Sequence, residues 1–208
     1  MTVTREDLIA CLYVKGFGKT EALAEALGAA ADAVEAAIAQ LVAHGEAEQF
    51  RVGARLSASG KATAEQGLAQ ERAGTDHRRL KDEYERFAPL NTDFKALVTD
   101  WQMRSIDGKL TRNDHKDEAY DEAVLGRLPD LHARTVALID DIAAHASRIG
   151  GYRRRLSEAL AKLEAGDHRY ITAPDRDSYH TVWFEFHQDL INLLGLTRQQ
   201  EAAAGRAL

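Results

Sequence analysis

Residues 20–60 read TEALAEALGAAADAVEAAIAQLVAHGEAEQFRVGARLSASG, and a change of hydrophobic period within them decides the fold. Leu23, Ala24 and Leu27 recur at three- and four-residue spacing, as do Val34, Ile38, Leu41 and Val42. Residues so spaced share one face of an α-helix. Gly28 and Gly45 stand where each stripe ends, the place where a left-handed residue closes a helix. Thr20 is the expected cap of the first helix, and the second is expected from about 31 to 44. Beyond Gly45 the pattern shortens. Residues 48–52, Gly53 and 54–56 predict a small hairpin turning at or near Gly53, with a new helix starting near Lys61.

Upstream, Thr4 can cap a helix with Leu8, Ile9, Leu12 and Tyr13 as its apolar positions and Glu6 and Asp7 in its first turn. Three helices, a two-stranded ribbon and a further helix make the winged helix-turn-helix plan. The phrases LAEALG, VEAAIAQLVAHGEAE and LSASGKA resemble the MarR-like winged-helix proteins, whose ribbon usually closes on Leu-Thr-x-x-Gly. The resemblance spans about residues 4–65. It implies a DNA-binding domain over 1–65 whose third helix enters the major groove, with residues 66–208 as a separate unit.

The chemistry of that third helix departs from the pattern. Base readout needs Arg, Lys, Asn, Gln, Ser or Thr pointing outward. Here the segment from Ala29 offers Asp32 and Glu35 near its start, and Gln40 alone as a base reader. Basic residues lie around it: Lys19 before the second helix, Arg51 and Arg55 in the hairpin, and Lys61 after it. These suit contacts to phosphates rather than bases. Residues 1–75 carry seven Lys or Arg against ten Asp or Glu, a net of −3 within a chain of net −6. Such a balance disfavours polyanion binding without excluding it. A winged helix holding a protein partner is therefore the standing alternative to one holding double-stranded DNA.

The remaining two thirds predict an all-helical bundle with short connections. Leu80, Tyr84 and Phe87 stripe a charged helix that Pro89 should stop. Asn91 or Thr92 should cap the next, with Phe94, Leu97, Val98 and Trp101 inward. A polar loop, 105–117, turns at Asp107-Gly108. Pro129 opens a further helix, Gly150-Gly151 reads as a hinge or tight turn, and Ser178 starts the most apolar helix, closed by Gly195. Thr197 and Gln200 form a capping box for a last helix.

Three groups within it could carry chemistry. His180, Phe184, His187 and Ile191 follow a 4-3-4 spacing on one face, with Glu185 and Asp189 on another side. Two histidines two turns apart need a third ligand, such as Asp100 or His115, to hold a metal, and no HExxH or Glu-x-x-His pattern is present. They read as bundle hydrogen-bonders, and no metal or cofactor is expected. Asp100 and Arg104, four apart, either pair on the surface or leave Trp101 and Arg104 to line a ligand pocket opposite His180, Trp183 and His187. Arg153–Arg155 read as a solvated face.

The composition is that of a soluble globular chain: 45% apolar, 29% charged and a single cysteine, Cys11, of 208 residues. One cysteine excludes an internal disulfide and suits a reducing cytoplasm. No apolar stretch is long enough for a membrane span. No nucleophile elbow, phosphate-cradling loop or dinucleotide fingerprint is present, so no enzymatic activity is expected. The sequence thus predicts a cytoplasmic winged-helix regulator whose helical domain dimerises or senses a small-molecule effector.

Overall fold

The computed structural model describes residues 2–106 and 108–203. The chain is mainly helical. Helices α1 (Arg5–Lys15), α2 (Thr20–Leu27) and α3 (Ala31–Ala43) enclose a first core with an antiparallel hairpin, β1 (Ala47–Phe50) and β2 (Gly53–Leu56). Leu8, Leu12, Leu23, Val34, Ile38 and Leu41 fill it, each at most 1% exposed. Thr4 caps α1, its Oγ1 accepting from the Asp7 N–H at 3.1 Å. Gly28 closes α2 at φ 61°, a conformation that costs glycine nothing.

Several local expectations are corrected. Lys19, not Thr20, occupies the N-cap of α2, without a side-chain hydrogen bond. The hairpin does turn near Gly53, at Arg51-Val52, but Gly53 itself pairs with Phe50 inside the ladder. Glycine is required at Gly53 for a different reason: a Cβ there would stand 2.1 Å from the Gly18 carbonyl oxygen. That close approach lets Gly18 bridge to Ala54 through two backbone hydrogen bonds, of 3.0 and 2.9 Å. Val42, assigned to the buried stripe of α3, is 38% exposed.

Helix α4 begins at Ala58, with Ser57 as its cap, and runs to Gly74. It crosses the domain boundary expected at 65 and packs against both cores. Helix α5 (His77–Gln102) then continues unbroken past Pro89. The missing N–H and the ring clash cost about 3 kcal/mol. Pro89 lies on the exposed side, while Leu80, Tyr84, Phe87, Leu90, Phe94, Leu97 and Trp101 form one buried stripe. At about 1.5–3 kcal/mol for each large side chain buried, the stripe outweighs the proline. Asn91 is therefore no cap: it is 3% exposed and accepts from Trp183 Nε1 at 3.0 Å.

The second unit is not all-helical. Strands β3 (Met103–Ile106) and β4 (Lys109–Arg112) form a hairpin where a loop was expected. Of its predicted turn, Gly108 has φ 75° and Asp107 lies outside the described residues. Helices α6 (Glu118–Leu125), α7 (Leu128–Ala143), α8 (Gly151–Glu164), α9 (Arg169–Thr172), α10 (Tyr179–Leu194) and α11 (Arg198–Ala203) complete the described residues. Of the two readings of Gly150-Gly151 the tight turn holds: a 3₁₀ turn (Ser147–Gly150) runs directly into α8. Gly195 closes α10 in the left-handed conformation, and the Gln200 side chain accepts from the Thr197 N–H at 2.7 Å. The second core centres on Phe87, Phe94, Trp183 and Phe186, with Phe94 and Trp183 stacked at 4.4 Å. No single helix among the described residues is long and apolar enough to cross a membrane.

Candidate functional site

Two regions gather the chemically distinctive side chains: the outer surface of α2, α3 and the first hairpin, and the junction where α1 and α4 meet α8 and α10.

Helices α2 and α3 meet at 109°. The outward side of α3 carries Asp32, Glu35, Ala36, Ala39, Gln40 and Ala43, all exposed, with no lysine or arginine. Arg51 stands exposed at the hairpin turn beside Val52, which is 47% exposed. Arg55 is already engaged: its Nε and Nη2 donate to Glu48 at 3.0 and 2.7 Å, and its guanidinium lies 5.2 Å from the Phe50 ring centre. Lys19 is exposed at the start of α2, and Lys61 is exposed on α4. The hairpin's base is firm. Glu46 accepts from Arg5 and from Thr63, and the Arg5 hydrogen bond holds its carboxyl below the usual range.

The junction holds a closed cluster of four charges. Lys15, at the end of α1, reaches Asp177 at 3.1 Å and Glu185 at 2.7 Å. Arg155 of α8 donates to both Asp177 oxygens, at 2.6 and 2.9 Å, and to Glu185 at 2.7 Å. All four side chains are 8% exposed or less. Burial alone would lower the Lys15 pKa, but Glu185 and Asp177 more than offset it, and the net shift is upward. Burial would raise that of Asp177, yet Arg155 and Lys15 hold it below the usual carboxylate range. Beside this cluster Arg148 joins Asp189 at 2.5 Å and Glu71 at 3.1 Å, and Tyr152 donates to Asp189 at 2.6 Å. Arg154 donates to the carbonyls of Glu25 and Ala26, capping the C-terminus of α2. Cys11 borders this region, and burial pushes its thiol up to about 12, which leaves it inert.

The arginine triplet is thus not a solvated face, since Arg155 is buried and Arg154 docks on α2. Glu185 and Asp189 likewise point into the junction. The sequence does carry a signal for this. Glu185 and Asp189 are four apart on the most apolar helix, and Arg155 falls within the buried stripe of Tyr152, Leu156 and Ala159.

The expected ligand pocket is not assembled. Trp183 is fully buried between Phe87 and Phe94. His187 is also fully buried, its Nε2 2.9 Å from the Tyr84 hydroxyl, while Phe184 of the supposed same face is 40% exposed. His180 stacks at 6.2 Å on Phe94. Trp101 packs elsewhere, against His115 at 4.4 Å and His168 at 5.6 Å. Arg104 pairs with Asp117 at 2.8 Å, and Asp100 with Arg127 at 2.8 Å, so the expected Asp100–Arg104 pair is absent. Among the described residues no group of His, Cys, Asp or Glu is arranged to hold a metal ion.

Two smaller arrangements escaped the sequence reading. His132 links the Ser157 hydroxyl at 3.2 Å and the Tyr179 hydroxyl at 3.1 Å. His115, at φ 56°, contacts Asp121 at 2.9 Å, and Asn113 staples that loop to the Trp101 carbonyl.

Comparison of the chain with protein-family models, curated proteins and solved structures found no match.

Proposed function

We propose that residues 1–65 act as a winged helix-turn-helix that holds double-stranded DNA, within a homodimeric transcription regulator. The observation that carries this reading is the 109° turn between α2 and α3 beside a hairpin pinned at its base by Gly18. Helix-turn-helix pairs cross at about 90–120°. With acidic residues on α3, phosphate contact by Arg51, Lys19 and Lys61 dominates over base readout, and affinity is modest and strongly salt-dependent. The test is fluorescence anisotropy of a labelled mixed-sequence duplex titrated with the full chain at low and moderate salt. Binding that weakens steeply with salt supports the reading. Absence of binding at low salt overturns it.

A second reading has its own observation. The exposed face of α3 alternates alanines with Asp32 and Glu35, a smooth acidic surface suited to a basic partner helix. On that reading the same fold is a protein-binding adaptor, and removing both carboxylates weakens partner capture while leaving DNA binding nil.

A further inference from the structure

We propose that the cavity between α1 and α4 binds a small amphipathic amine, its ammonium group received by Asp189. The cavity encloses about 470 Å³, within the range of small-molecule sites. Ile9, Tyr13, Ala64 and Leu68 give it an apolar wall, and Arg148 and Asp189 lie at its polar end. A second cavity of about 240 Å³, lined in part by Cys11 and Tyr152, is also bordered by Arg148 and Asp189.

Asp189 is the decisive residue. It is 2% exposed, and its Oδ2 takes hydrogen bonds from both Arg148 and Tyr152. Its Oδ1 is buried and has no partner among the described residues. A buried carboxylate oxygen without a donor is the feature a ligand's N–H would satisfy. The sign of the ligand follows from charge. Glu71 and Asp189 share the single guanidinium of Arg148, so the polar end carries surplus negative charge. An anion is repelled there, and a cation with an apolar body fits both ends.

This inference stands apart from DNA binding, because its readout is the protein alone. The full chain is melted with increasing 2-phenylethylamine, and separately with phenylacetate, which keeps the skeleton and reverses the charge. The amine raises Tm in a saturable way and phenylacetate leaves it unchanged. Gly67 lies on the cavity lining in open space, where a Cβ meets nothing within 4 Å. Gly67→Leu therefore fills the cavity without disturbing the fold and abolishes the shift. Asp189→Asn, where it folds, weakens amine binding about tenfold by removing a charge-assisted hydrogen bond. No shift with the amine, equal shifts with both compounds, or a shift surviving in Gly67→Leu overturns the proposal.

Discussion

Arg155 grips Asp177 with two parallel hydrogen bonds, Nε to Oδ2 at 2.6 Å and Nη2 to Oδ1 at 2.9 Å, within the helical unit, and so holds the carboxylate that Lys15 reaches from α1. Only a guanidinium supplies this fork, and in the same fold it also reaches Glu185. Arg155→Met leaves two buried carboxylates sharing Lys15 alone, and such breakage costs about 3–5 kcal/mol. Urea unfolding should show that loss, with Arg155→Lys intermediate because it keeps charge without the fork. A loss below about 1 kcal/mol in Arg155→Met would mean that the cluster is solvated.

The titrating groups fix a direction for acid sensitivity. Asp177 has a lowered folded pKa, so the unfolded chain takes up its proton first as pH falls. Its contribution is complete above the ordinary carboxylate value of about 3.9 and is lost as pH drops through the folded one. His132 and His180, whose pKa values burial pushes below 6.5, also favour the unfolded chain on acidification, beginning near that pH. The urea midpoint should therefore decline in two stages, below about 6.5 and again below about 4. Asp177→Asn should flatten the lower stage and leave the upper one.

Two glycines should respond oppositely to alanine. A Cβ on Gly60 would stand 1.9 Å from the Glu46 backbone oxygen, which itself accepts from the Ser57 N–H. Gly60→Ala must displace the hairpin from the start of α4, and a drop of several degrees in Tm follows. Gly67, inside α4 with open space around it, should gain about 0.5–1 kcal/mol as alanine. Thermal melts of both variants decide it, and the assignment of Gly60 fails if its alanine variant melts with the parent chain.

The two hairpin arginines should differ on DNA. Arg55 is neutralised by Glu48, whereas Arg51 stands exposed at the turn with no ion pair among the described residues. Arg51→Ala should lower the slope of log affinity against log salt by about 1, and Arg55→Ala by much less. Equal effects would place both on the phosphates and break the Arg55–Glu48 pair in the complex.

Helix ends and periods were legible because they depend on local chemistry: Thr4, Gly28, Ser178, Gly195 and the Thr197–Gln200 box stand as their residue types dictate. The hairpin and the neighbourhood of its turn were legible from the loss of helical period, but Gly53 itself serves a tertiary contact with Gly18 rather than the bend. Pro89 misled for a similar reason, since the stripe from Leu80 to Trp101 overrides a local penalty. The junction was least legible. Nothing in the spacing of Lys15, Arg155, Asp177 and Glu185 along the chain announces that they meet. Trp101 and Trp183 drew attention as large aromatic residues, and both serve the core.

Helix α4 and the charge cluster also bear on how the chain comes apart. Parting the two cores would take Lys15 away from both its carboxylates, leave Asp177 and Glu185 to Arg155 alone, and uncover one side of α4. Both halves then lose apolar burial along α4 together. In calorimetric language residues 2–106 and 108–203 should behave as one cooperative unit, whatever the number of cores, and a single heat-absorption peak is the signature of that bond between them.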